Sequence, residues 1–151
     1  MAVLAAIDVE HAPDEPITTG YELATAVDET LVVLYVMSQE EFNHRQQSTE
    51  ELPEEFQNFT LEKARDSARS QATDAVQQAL DAYDEERVEN IGRVGTPEDE
   101  ILAVIEDISP RYVVVGGRKR SPVKQTIFGS VSQEIVRKAE PPVVTLMEQP
   151  D

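Results

Sequence analysis

The chain contains no cysteine and no tryptophan. Disulfides, thiolate metal ligands and cysteine nucleophiles are therefore excluded. Histidine is almost missing as well. His11 and His44 lie in polar segments far apart, so neither is expected to bind a metal or do acid–base work. No apolar run reaches the ~20 residues that a bilayer-crossing helix needs. The opening Met1-Ala2-Val3-Leu4-Ala5-Ala6-Ile7 lacks a charged leader and is interrupted by Asp8, so it reads as a strand and not a signal peptide. A cytoplasmic location is the resulting expectation. Lysine is scarce, confined to Lys63, Lys119, Lys124 and Lys138. Basic residues number 13 against 30 acidic ones, for a net charge of −17. Such a surface repels phosphates, which argues against nonspecific binding to nucleic acid or anionic lipid.

The acids are spread along the whole chain and form no single acidic tail. A dispersed carboxylate surface with little lysine suggests adaptation to a salt-rich cytoplasm, where screening over ~3 Å at molar salt removes most self-repulsion. An ordinary acidic protein is the alternative. The 151 residues suit one domain, spanning residues 1–151, with room for a proper core.

Strand and helix signals alternate. Residues 3–9 and 31–37 are continuous apolar runs fit for strands covered on both faces. Between them Pro13-Asp14-Glu15-Pro16 breaks the chain, and residues 17–26 repeat at helical spacing. Residues 38–59 are acidic, glutamine-rich and weakly periodic: a long loop or a frayed helical excursion. A long helix is predicted over residues 61–80, capped by Thr60 and carrying a thin stripe of alanines. A third strand covers residues 88–94. Gly95-Thr96-Pro97 then opens a helix, with Thr96 as cap and proline at the first position, running to about Ile108. Strand four is expected at residues 112–116, a short helix at 130–138 and a last strand from Val143 to Met147. Strands separated by helices imply βαβ units and a parallel sheet. Ligands bind such sheets beyond the carboxyl ends of the strands, where strand order reverses. Asp8, Val36 and Gly116 all fall at such ends.

The densest signal lies between Val113 and Val136. An apolar run ends at Gly116, a basic loop follows, and Gly129-Ser130 opens a helix. A helix start leaves N–H groups unpaired and its dipole favours negative charge. Arg118, Lys119, Arg120 and Lys124 crowd this one loop of an acidic chain. They suit a polyphosphate held by charge-assisted hydrogen bonds. The plainer alternatives are a glycine turn, a serine cap and exposed ion pairs worth ~0–1 kcal/mol each. Asp8 can accept hydrogen bonds from ribose hydroxyls, or simply initiate a turn.

With Ile7-Asp8, Gly95-Thr96-Pro97 and the run Gly116-x2-Lys119-x9-Gly129-Ser130 in order, the chain resembles the universal stress protein family over essentially its whole length. Lys119 stands where nucleotide-binding members carry a second glycine. The resemblance implies a five-stranded parallel α/β sheet sandwiched by helices, Rossmann-like and commonly dimeric; some members hold ATP. Carried over by position, Asp8 would sit beside the ribose or adenine and the Val36 backbone at the adenine edge. Gly116 and Arg118 would line the ribose–phosphate path. Gly129, Ser130, Val131 and Ser132 would hold the phosphates. Lys119 would either fill the phosphate channel or grip the triphosphate as a point charge; a left-handed backbone there would cost lysine ~1 kcal/mol.

The expected function is thus a stress-response module binding ATP or a related adenine nucleotide, with or without Mg²⁺, and acting through conformation or partners. A nucleotide-free dimeric scaffold and a weak ATPase are the alternatives. No catalytic residue is identified, because no Walker-type or kinase-type arrangement occurs. The strand from Val143 to Met147, apolar on both faces, would be covered by its copy in a homodimer.

Overall fold

The structure, a computed structural model, describes residues 1–8, 14–49, 60–120 and 126–148. In chain order it runs β1 (Ala2–Ile7), α1 (Asp14–Val27), β2 (Thr30–Ser38), α2 (Gln39–Thr49), α3 (Leu61–Ala79), β3 (Val88–Gly95), α4 (Pro97–Ile108), β4 (Tyr112–Arg120), β5 (Thr126–Phe128), α5 (Ser130–Lys138) and β6 (Val143–Glu148). Five strands are parallel, in the order β3-β2-β1-β4-β6. The sixth, β5, pairs antiparallel with the far end of β4. The expected five-stranded parallel sheet is therefore present, with a short antiparallel addition.

In the central strands β1, β2 and β4 both faces are buried, as the continuous apolar runs require. Val3, Ala5, Leu31, Val33 and Val114 point into one core with α1 and α3. Leu4, Ala6, Val32, Leu34, Val113 and Val115 point into the other with α4 and α5. This is the period-two alternation of strands, read from two sides at once. The alanine stripe of α3 lets that helix approach β3 closely. A Cβ built on Gly92 would lie 2.3 Å from the backbone of Arg65 and of Arg69.

Several expectations are met and several are corrected. Thr60 caps α3, its hydroxyl accepting from the Lys63 N–H at 3.2 Å. Thr96 holds the cap position of α4 and Pro97 the first helical one, but the Thr96 side chain makes no capping bond. Gly95 has φ 149°, a region that L side chains rarely adopt, so glycine is needed there. The Pro13–Pro16 break is corrected: α1 already starts at Asp14 and takes Pro16 into its first turn. Proline is tolerated at that point because first-turn N–H groups have no intrahelical partner.

For the segment after β2, read as either a long loop or a frayed helical excursion, the helical alternative holds. Residues 39–49 form α2; the remainder of that segment, residues 50–59, lies outside the described residues. Helix α2 has one strong apolar anchor, the buried Phe42. Polar tethers supply the rest. Ser38 accepts from the Glu41 N–H at 3.1 Å. Arg45 donates to Glu41 and to Ser67 of α3, both at 3.0 Å. Contacts of this kind carry no periodicity, so the sequence pattern left helix and loop as alternatives.

Candidate functional site

The sheet order places the switch point between β1 and β4, since the chain moves one way from β1 through β2 to β3 and then returns to the other side. A crevice beyond the carboxyl ends of these two strands is the usual ligand position in such a sheet. Strand β1 ends at Ile7, opposite Tyr35 of β2. Asp8 and Val36 are the next residues along each strand. Asp8 is exposed. Val36 is buried, with its side chain in the α4–α5 core, so only its backbone can face a ligand. Gly116 follows Val115, the last β4 residue paired with β1.

Helix α5 points its start at the same strand. Gly129 is its cap residue, with φ −65° and ψ 146°. Any residue can adopt those angles, so glycine is not there for its conformational range. Its value is the bare main chain it offers to a close neighbour. The cap provides no side-chain hydrogen bond, and the first turn carries no acidic residue. In the other four α-helices among the described residues the first turn carries at least one: Asp14 and Glu15, Glu40 and Glu41, Glu62, and Glu98 to Glu100. The first turn of α5 thus supplies no carboxylate of its own to the positive end of the dipole, in a chain rich in acids. Arg137 and Lys138 occupy its last turn, where they complement the negative end.

Ser130 is exposed, Val131 half-buried against the α4–α5 core, and Ser132 buried. The Ser132 hydroxyl donates to the carbonyl oxygen of Gly116. On the α1 side, a Cβ added to Gly116 would lie 3.3 Å from Cγ of Pro16. Gly116 is therefore clasped between the first turns of α1 and α5. Sequence reasoning missed both contacts. The only available signal was a serine on the inward face of a short amphipathic helix, in step with Ile135.

The basic stretch differs from its expected form. Strand β4 does not stop at Gly116 but continues through Gly117, Arg118 and Lys119 to Arg120. Arg118, Lys119 and Arg120 pair with Phe128, Ile127 and Thr126 of β5, and Arg118 and Lys119 also pair with Met147 and Glu148 of β6. Two neighbouring strands hold the segment extended, and the two glycines absorb an irregularity: the β4–β6 register shifts between Val115 and Arg118. Lys119 sits in this extended ladder, so the left-handed strain considered for it does not arise. Lys124 lies outside the described residues. Among the described residues no group of three or more His, Asp or Glu side chains is arranged to hold a metal ion, and no helix is long and apolar enough to cross a membrane.

Comparison with known proteins agrees with this architecture. The model of the universal stress protein family matches residues 1–146. Universal stress protein MJ0577 of Methanocaldococcus jannaschii is 26% identical over 93 residues, which span 62% of this chain and 56% of that protein's length. The solved structure of MJ0577 superposes with a TM-score of 0.70 at 20% identity, covering 99% of this chain and 97% of that one. The universal stress protein UspA from Lactobacillus plantarum gives 0.69 at 17% identity, covering 97% of each chain. A universal stress protein in complex with cAMP gives 0.61 at 15% identity, covering 99% of this chain and 98% of the other.

Proposed function

The chain belongs to the universal stress protein family, and from that premise we propose that it binds an adenine nucleotide, ATP or a close relative, at the carboxyl edge between β1 and β4. The observation that carries this reading is the start of α5: amides capped by a bare glycine, with no carboxylate in the first turn, at the switch point of the sheet. A structure of a universal stress protein in complex with cAMP supports the adenine part of the reading. On this proposal the backbone amides of Ser130, Val131 and Ser132 donate to the phosphates, and the Ser130 hydroxyl adds a donor. Asp8 accepts from the ribose hydroxyls. The Val36 backbone meets the adenine edge. Gly116 and Arg118 flank the ribose–phosphate path, with Lys119 adding positive charge to it.

Binding would act through conformation or partners, since no catalytic group is assigned. Calorimetric titration with ATP–Mg²⁺ at high salt, beside analysis of nucleotide released on denaturation, tests the proposal. Saturable heat or released adenine nucleotide is expected; absence of both sinks it. Asp8→Ala should weaken binding by ~10-fold, the loss of one hydrogen bond to a charged group. If Lys119→Gly tightens binding, the lysine obstructs the channel; if it weakens binding, the lysine grips the phosphates.

A second reading, the dimeric scaffold, is favoured by the end of the sheet. Among the described residues β6 pairs only with β4, leaving its outer edge for the same strand of a second copy. Dimer formation through residues 143–147 is compatible with nucleotide binding, and light scattering tests it separately.

A further inference from the structure

We propose that Ser132 is a positioning residue, tying the first turn of α5 to the carbonyl of Gly116 and so setting the anion-facing amides against the carboxyl end of β4. This rests on the nucleotide reading above and changes the role of one residue within it. Among the described residues Ser132 is the one polar side chain in the buried set, only 6% exposed. A buried hydroxyl requires a partner, and this one donates to the Gly116 carbonyl oxygen.

That carbonyl is available for a physical reason. The β1 ladder ends one residue earlier, at Ala6 opposite Val115. The β6 ladder passes from Val115 to Arg118 across the register shift. Gly116 thus belongs to neither run of pairs, and Ser132 satisfies it. Pro16 packs on Gly116 from the α1 side, so the strand end cannot drift when the hydroxyl pulls on it.

The turn of α5 concerned is otherwise held by its own Gln133 N–H to Gly129 carbonyl bond, at 3.0 Å, and by Val131 and Ile135 in the core. Those contacts seat one face of the helix in the core, and the hydroxyl adds its direct tie to the end of β4. With its proton engaged inside the protein, the Ser132 side chain does not serve as a phosphate donor; its main-chain amide does.

The test compares wild type, Ser132→Ala and Ser132→Thr in titrations with ATP–Mg²⁺ and with adenosine, plus hydrogen exchange of the α5 amides without ligand. Ser132→Ala should lose ~10-fold in affinity for ATP and less than ~2-fold for adenosine, because only the phosphates meet the displaced turn. Exchange of the α5 amides should speed up by ~10-fold, with Ser132→Thr close to wild type in all three. Undiminished ATP binding by Ser132→Ala, or equal losses for ATP and adenosine, would overturn the proposal. If the alanine variant does not fold, Ser132→Cys, of nearly the same size but a weak donor, takes its place under the same criteria. A wild type that binds neither ligand refutes the nucleotide reading and, with it, the binding role of Ser132. Exchange then judges the tether alone, and unchanged rates in Ser132→Ala overturn that too.

Discussion

Among the described residues, two adopt left-handed backbone without being glycine: Asp28 at φ 57° and Ser109 at φ 46°. Their circumstances differ. Asp28 is engaged by Arg87 at 3.1 Å, so its side chain contributes something in return. Ser109 ends α4 and has no comparable partner among the described contacts. Ser109→Gly should therefore stabilise the protein by ~1 kcal/mol, visible as a higher urea midpoint with an unchanged slope. Gly92 presents the opposite case. Its missing Cβ is where the α3 backbone lies, and backbone cannot step aside as a flexible side chain can. Gly92→Ala should cost ~2–3 kcal/mol or more, measured in the same unfolding experiment.

At the scale of elements, α5 has an internal charge arrangement with a pH signature. Glu134 is paired with Lys138 and with Arg137, each at 2.9 Å. The hydrogen bond and charge of Lys138, followed by those of Arg137, hold its carboxyl below the ordinary value of 4.5. A lowered carboxylate favours the folded state above its unfolded pKa, and that contribution fades as pH falls through the folded value. The titration of Glu134 followed by carbon NMR should have its midpoint below 4.5, and Lys138→Ala should move it back upward.

Helix α1 shows what an element can borrow from afar. Its last turn has no basic residue. Arg87, just before β3, supplies one by donating to the carbonyl of Glu29 at 2.8 Å and to that of Ala24 at 3.5 Å. The alternating elements themselves were legible from period and capping chemistry, and α5 was read to its exact bounds because Gly129 and Pro141-Pro142 bracket it. Helix α2 was legible only as one of two alternatives, since Phe42 is its only deep apolar anchor and its hold on Ser67 comes from a residue 22 positions away.

For the molecule as a whole, the governing quantity is the net charge of −17. Exposed carboxylates repel one another over ~10 Å at 0.1 M salt but only ~3 Å at 1 M. The melting temperature should rise steeply between low and molar sodium chloride. A flat response would mean that the acids are neutralised locally and that the salt-rich setting is wrong.

Composition and periodicity alone determined the layered parallel sheet, the exclusion of thiol chemistry and the location of a glycine-capped helix start after β4. These depend on local propensity and on which positions are apolar, and both are written along the chain. Tertiary structure decided that the basic stretch extends β4, that Pro16 and Ser132 meet at Gly116, and which of its two readings α2 follows. Each of these turns on a hydrogen bond or contact between residues distant in sequence. A carbonyl left out of two ladders acquires its partner only once the strands are in register.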